Sequence, residues 1–370
     1  MFINFWYCAA TSDEVSEAPL KVRMLGQNFV LFRDSTGTVH CLHDVCVHRG
    51  ASLAEGKLQG ECIQCPYHGW RYNGAGACRH IPTLDESARI PARARVDSYP
   101  VEEQFGLIFA FLGDLPEAER PPMMPVAEWG NDGWSAIEQH WELAYPYARA
   151  VENAMDVYHN DFVHPEFMVP DAHQGKRAVP LLEFNETEWD TTFTTRLPSN
   201  DFDDTVIPTL EGNTIAQVET GHIGVSSYFS HIQISAEQRL CLHFYATPID
   251  SLNTRLFVLT TRNFLPGENH DQEMLTANEH TVMQDVRVVG GIRPLTTPSS
   301  NVTELLIAED QGVAKYRGRV KAWTAKGWRI DVNALAMDGG RSTFAVPSPA
   351  RRESGNWVIN PVPLVSSIGV

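Results

Sequence analysis

Apolar and polar positions alternate over short spans in the first 114 residues, with glycine, aspartate and serine between the spans. "KVRMLGQNFVLFRD" (21–34), "TVHCLHD" (38–44) and "GLIFAFLG" (106–113) have the length and composition of β-strands bounded by turns. The pattern changes at "LPEAERPPMMP" (115–125), where four prolines in eleven residues suit a linker better than an element. Beyond Trp134 the period lengthens. "AYPYARAVENAMDVYHNDFVH" (144–164) has the spacing and length of one helix, ended by Pro165. Alternation returns in "RLCLHFYAT" (239–247) and "RLFVLTTRNF" (255–264), which predicts antiparallel strands. "HDQEMLTANEHTVMQDVRVV" (270–289) then predicts a long amphipathic helix. Residues 341–370, rich in proline and serine, read as an extended tail. The expected chain is therefore α+β: an all-β domain over 1–114, a linker over 115–125, an antiparallel sheet with helices over 126–340, and the tail.

Composition removes several classes of function. With 370 residues there is room for two cores, and 43% hydrophobic with 20% charged residues is the make-up of an ordinary globular protein. The formal net charge of −17 argues against a nucleic-acid partner and against docking to anionic membrane. The most apolar run, Phe105 to Gly113, is about half the length a membrane-spanning helix needs. The opening "MFINFWYCAATSDEVSE" lacks a basic n-region, so no secretory signal is predicted. Seven cysteines are too few for a disulfide scaffold in a chain of this size, and a reducing, cytoplasmic setting is expected.

Candidate chemistry is concentrated in two places. In "CVHRGASLAEGKLQGECIQCPYHGW" (46–70), Cys46 and His48 are mirrored by Cys65 and His68. One thiolate and one imidazole from each of two loops suit a [2Fe–2S] cluster in which two cysteines hold one iron and two histidines the other. Imidazoles in place of thiolates make such a cluster less negative and raise its potential. Gly50 and Gly69 follow the histidines, where backbone amides must approach the cluster. A zinc site is the competing reading, since Cys41, Cys46, Cys62 and Cys65 have a tolerable ribbon spacing. It leaves "HRG" and "YHGW" unexplained.

The second place is "VENAMDVYHNDFVHP" (151–165). Asn153, Asp156 and His159 recur every three residues, which predicts one helix face. His164 is five residues beyond His159 and reaches the same metal only if Pro165 ends the helix and frees His164. Two histidines and a carboxylate form the facial triad of a non-heme Fe(II) oxygenase, and Asp271, Glu273, Glu279 and Asp285 on the late helix all supply an acid. Phe162, Phe167, Tyr228 and Phe229 are aromatic candidates for a pocket, although aromatic residues at such spacing are more often plain core.

"CVHRG", sixteen residues, and "CPYHGW" resemble the Rieske domain of Rieske non-heme iron oxygenases, and the likeness runs from "FWYCAATSDEV" to "AEDQGVAKYRGRVKAW". Ala51 and Tyr67 stand where respiratory Rieske proteins carry a disulfide, so the oxygenase branch fits better. The resemblance implies an N-terminal Rieske domain, then a helix-grip (START-like) catalytic domain. It also implies a Rieske cluster on Cys46, His48, Cys65 and His68, and a mononuclear Fe(II) on His159, His164 and Asp285. Asp285 is chosen because "MQDVRVVGG" resembles the segment that closes the triad, with Gln284 where the family more often has glutamate. Asp156 and Asn153 are the candidate catalytic residues. The Asp156 carboxylate is expected to bridge His159 and the His68 of a neighbouring subunit in a homotrimer.

"NGAGAC" (73–78) lacks the dinucleotide fingerprint and reads as a hairpin turn. Electrons are therefore expected from NAD(P)H through a separate reductase, with or without a ferredoxin, docking near Arg49, Lys57, Arg71 and Arg79 if anywhere. The expected reaction uses O2 to hydroxylate or oxidatively demethylate a small organic substrate. The alternative is cis-dihydroxylation of an aromatic ring.

Overall fold

The structure, a computed structural model, describes residues 1–85, 87–165, 183–198, 215–298 and 303–366. These form two compact units, one of residues 1–121, 247–251 and 323–370, the other of residues 122–246 and 252–322. Among the described residues no helix is long and apolar enough to cross a membrane.

The first unit is built on three small antiparallel sheets. In one, Leu107–Leu112 lies between Phe5–Thr11 and Val101–Gln104, and all six of its residues are buried. A central strand covered on both faces needs no polar alternation, which is why "LIFAFL" is continuous. The second sheet runs Leu20–Met24, Gln27–Arg33, Val39–His43 and Ser98–Tyr99. Its first hairpin turns on Leu25 (φ 53°) and Gly26 (φ 74°), both left-handed, as a two-residue turn between twisted strands requires. The third sheet joins Lys57–Gln59, Cys62–Gln64, Arg71–Asn73 and Cys78–His80. "NGAGAC" is the turn between its last two strands.

The carboxyl end differs from expectation. Residues 323–370 belong to the first unit rather than to the catalytic domain and a loose tail. Ala345, Val346 and Ser348 are fully buried, and Phe344–Ala345 pairs in parallel with Asn360–Pro361. Asp97 is the reason. Its carboxylate accepts Ser348 Oγ at 2.7 Å and Arg351 Nε and Nη2 at 2.7 Å each, a buried ion pair across some 250 positions of sequence. Such a contact leaves no local pattern to read.

The second unit is a seven-stranded antiparallel sheet in the order Ser135–Leu143, Thr254–Arg262, Arg239–Pro248, Ser227–Gln233, Ile215–Ile223, Asp190–Pro198, Phe184–Glu186. Helix α1 (Tyr147–Met155), a single turn α2 (Asn160–Val163), the long α3 (Glu268–Val289) and α4 (Gln311–Ala325, up to Ala322 within this unit) complete it. Met274 of α3 packs on Ile234, Leu240 and Phe264, so the sheet grips the helix through an apolar seam. Buried Glu152 ties α1 to α4: Arg149 Nη1 reaches Glu152 Oε2 at 3.0 Å and Arg317 Nε reaches Oε1 at 2.7 Å.

The single helix expected over 144–164 is broken. α1 stops at Met155, and Asp156 is extended (φ −94°, ψ 113°). The Asp156 side chain accepts the Tyr158 amide at 2.8 Å, an Asx turn that competes with helical hydrogen bonding. Asn153 therefore sits on α1, while Asp156 and His159 lie beyond it, and the helix face expected for all three does not exist.

Candidate metal centres

Two loops in the first unit are geometric copies. Cys46 N donates to Ala51 O at 2.8 Å and Gly50 N returns to Cys46 O at 2.9 Å. Cys65 N donates to Trp70 O at 2.8 Å and Gly69 N returns to Cys65 O at 3.2 Å. Each loop folds back through a left-handed glycine, Gly50 at φ 78° and Gly69 at φ 71°, where a side chain would strain the backbone.

The loops bring like donors together. The Cys46 and Cys65 thiols are close enough to affect each other's ionisation, and the His48 and His68 rings lie 4.5 Å apart. Both cysteines are buried and both histidines exposed. Trp70 stacks on His48 at 4.7 Å and 4°. The buried Tyr72 hydroxyl is 3.2 Å from Cys46 Sγ, and toward a thiolate it can only donate. Burial pushes the Cys46 thiol up and Tyr72 pulls it back. Sequence pattern alone assigns neither residue a role, although Trp70 closes "CPYHGW" and Tyr72 lies two residues beyond it.

The zinc alternative does not fit. Among the described residues, the one group of three or more side chains able to surround a single ion is His159, His164 and Asp285. Cys41 is fully buried in the Val39–His43 strand and Cys62 is in the Cys62–Gln64 strand. None of the seven cysteines is paired in a disulfide. Of the basic candidates, Arg71 spends its Nε on Gln64 Oε1 at 2.9 Å.

In the second unit, His159 caps the start of α2 and His164 ends it at φ −122°, ψ 56°, outside the helical region as its place before proline requires. His159 Nε2 lies 3.8 Å and His164 Nε2 3.1 Å from Asp285 Oδ1. The other ring nitrogens are both committed: His159 Nδ1 to the Asp156 carbonyl at 2.5 Å, His164 Nδ1 to Gln284 Oε1 at 2.7 Å. Both partners are acceptors, so each Nδ1 carries its proton and each Nε2 presents a lone pair. Two lone pairs and a carboxylate oxygen thus converge, and Asp285 Oδ1 is buried without a hydrogen-bond partner. Three acceptors facing one point repel one another unless a cation lies between them. The donor set fits a divalent metal with open positions.

The other acids on α3 are spent elsewhere, Asp271 on Arg262 Nη2 at 2.5 Å and Glu273 on His270 Nδ1 at 2.9 Å, and Glu279 is not part of the cluster. Asn153 Nδ2 is 3.5 Å from His159 Nε2. The expected contact between the Asp156 carboxylate and His159 is replaced by one through the Asp156 backbone carbonyl. The cluster opens on a cavity of about 250 Å³ between the sheet and α3, walled by Ile232, Leu240, Leu242, Leu256 and Val258. Tyr228 lines it. Phe229 does not, Phe162 is 73% exposed, and Phe167 lies outside the described residues.

Residues 5–100 match the Rieske [2Fe-2S] domain family, and residues 143–326 match the vanillate O-demethylase oxygenase C-terminal domain family. The chain belongs to the Rieske non-heme iron oxygenases. Methylxanthine N1-demethylase NdmA of Pseudomonas putida is 27% identical over 330 residues, covering 85% of this chain and 87% of that protein. The structure of Pseudomonas putida CBB5 NdmA with caffeine shares the fold, with a TM-score of 0.72 at 23% identity over 85% of this chain and 89% of that one. Phenoxybenzoate dioxygenase subunit alpha of Ectopseudomonas oleovorans is 32% identical over 200 residues, 50% of this chain. Dicamba O-demethylase, oxygenase component, of Stenotrophomonas maltophilia is 37% identical over 164 residues, 44% of this chain. The chain spans about half the length of these last two relatives, 48% and 47%. The cofactors of this Rieske oxygenase are a [2Fe–2S] cluster and a mononuclear iron, and the two donor sets fit them.

Proposed function

We propose that this chain is a terminal oxygenase component that hydroxylates or oxidatively demethylates a small organic substrate held in the cavity beside Asp285. The observation that carries the reading is the convergence of His159 Nε2, His164 Nε2 and Asp285 Oδ1 at the mouth of an apolar cavity. On this reading Cys46, His48, Cys65 and His68 hold the cluster, and the three converging residues hold the iron. Bound there, the cluster relays electrons and the iron activates dioxygen. The chain's own residues do the rest. The Asp156 carbonyl and Gln284 fix the two imidazoles, the aliphatic wall excludes water, and Asn153 stands beside His159 at the cavity edge. Demethylases among the relatives, NdmA along most of the chain, favour this chemistry over cis-dihydroxylation.

The exposed histidine side of the cluster favours electron exchange at the surface, with a reductase or ferredoxin on one side and a neighbouring subunit on the other. A homotrimer, NAD(P)H as the electron source and a cytoplasmic setting complete the proposal. Turnover with reductase under labelled dioxygen tests the reading. One labelled oxygen per hydroxylated product, or labelled water and an aldehyde from a methyl group, is expected. Two labelled oxygens in one product would replace it with dihydroxylation. Metal analysis should give three irons per chain and two after His159→Ala, and sedimentation should give three chains per particle.

A further inference from the structure

Two tyrosines give the cavity a chemical preference, an inference that rests on the proposed function because it concerns the same site. Tyr145 is 3% exposed and Tyr228 5%, and both line the cavity. A phenol hydroxyl on a side chain this buried ordinarily has a partner. Neither of these makes a hydrogen bond among the described residues, and neither oxygen is among the fully buried atoms that lack one, so each keeps surface beside the cavity its residue lines. The Tyr228 ring is held by stacking on Phe244 at 4.7 Å and 9°. We propose that Tyr145 and Tyr228 form a polar anchor that recognises an uncharged hydrogen-bond acceptor, such as a carbonyl or amide oxygen, on an otherwise apolar substrate.

A phenol keeps its proton at neutral pH, so each hydroxyl has a hydrogen to give. Both are therefore donors awaiting an acceptor. The apolar sheet residues Ile232, Leu240, Leu242, Leu256 and Val258, of which the first three share a sheet face with Tyr228, take the hydrocarbon part of a ligand. A carboxylate ligand would lose its hydration against that wall with no lysine or arginine among the described lining residues to replace it.

Three probes of one shape separate the possibilities: 3-methoxybenzamide, 3-methoxybenzoate and 3-methoxytoluene. Their dissociation constants are measured by calorimetry on the full chain, anaerobically and without reductant, so that no turnover is needed. The amide should bind tightest. Tyr145→Phe and Tyr228→Phe should each weaken it by roughly 2- to 12-fold, the equivalent of one neutral hydrogen bond, and leave the toluene unchanged. The wild-type comparison of amide with toluene requires no variant to fold. The anchor is overturned if the benzoate outbinds the amide, if both variants keep the wild-type ratio of amide to toluene, or if none of the three binds. The expected affinities without oxygen incorporation in turnover sink the oxygenase reading alone. Incorporation with unchanged affinities sinks the anchor alone.

Discussion

Replacing Gln284 with leucine removes the acceptor 2.7 Å from His164 Nδ1 and keeps the side-chain volume close to that of glutamine. That contact does two things. It selects the His164 tautomer with Nδ1 protonated, and it aims Nε2 at Asp285 Oδ1, 3.1 Å away. One neutral hydrogen bond contributes ~0.5–1.5 kcal/mol, which alone corresponds to about a 2- to 12-fold change in an equilibrium constant. Loss of tautomer selection adds to it, and partners that orient metal-bound histidines typically govern metal affinity by about 10- to 100-fold. Gln284→Leu should therefore weaken Fe(II) binding at His159, His164 and Asp285 by that larger range. Gln284→Glu, which keeps an acceptor at the same reach, should stay within a few-fold of the parent. The assay is Fe(II) titration against a competing chelator after the mononuclear metal has been stripped. The visible absorbance of the cluster serves as the control that the first unit is intact. A Gln284→Leu protein binding iron within twofold of the parent would falsify the positioning argument, as would a glutamate variant as impaired as the leucine one.

Three further outcomes are expected. Tyr72→Phe removes the donor to Cys46 Sγ, which stabilises the more negative, reduced cluster, so the potential should fall by roughly 20–65 mV; voltammetry showing no change or a rise counts against that role. Burial lowers His43, His222 and His243 to about 4 from the model-peptide value of 6.5. Above pH 6.5 they are neutral folded and unfolded. As pH falls from 6.5 toward 4 the unfolded chain gains protons the folded chain refuses, so stability drops, on the order of 3 kcal/mol per histidine at the bottom of the window. Thermal midpoints that stay level from pH 7.5 to 4.5 would contradict this. On α4, a Cβ at Gly312 would sit 2.3 Å from the Met155 carbonyl, whereas one at Gly318 meets nothing within 4 Å. Gly312→Ala should lower the melting temperature and iron occupancy, because it displaces the end of α1 just before Asp156. Gly318→Ala should raise stability by about 0.5–1 kcal/mol, and equal behaviour of the two variants would refute the packing argument.

Much of the site is written locally. Cys46, His48, Cys65 and His68 occupy mirrored spans short enough for each loop to close on itself through its own backbone and one left-handed glycine. His159 and His164 are five residues apart, and Pro165 limits the conformations open to His164. In both places covalent neighbours supply the geometry, so residue type and spacing carry it. The strand at Leu107–Leu112 is legible as one short unbroken apolar run, and Arg239–Pro248 and the helix α3 are legible from the apolar positions that recur along them.

Everything that depended on distant partners had to await the folded chain. The break after Met155 hangs on an Asx turn and on the close approach of Gly312, not on helix propensity. Which acid lies beside the two histidines depends on the direction in which α3 presents Asp285, while Asp271 turns to Arg262. Gln284 gained its partner across 120 positions, and the carboxyl end was drawn into the first unit by Asp97. Spacing along a chain specifies the donors that one loop can bring together. Contacts between segments far apart in sequence depend on how sheets and helices pack, and only that packing decided the orientation of the imidazoles, the choice of carboxylate and the two tyrosines in the cavity.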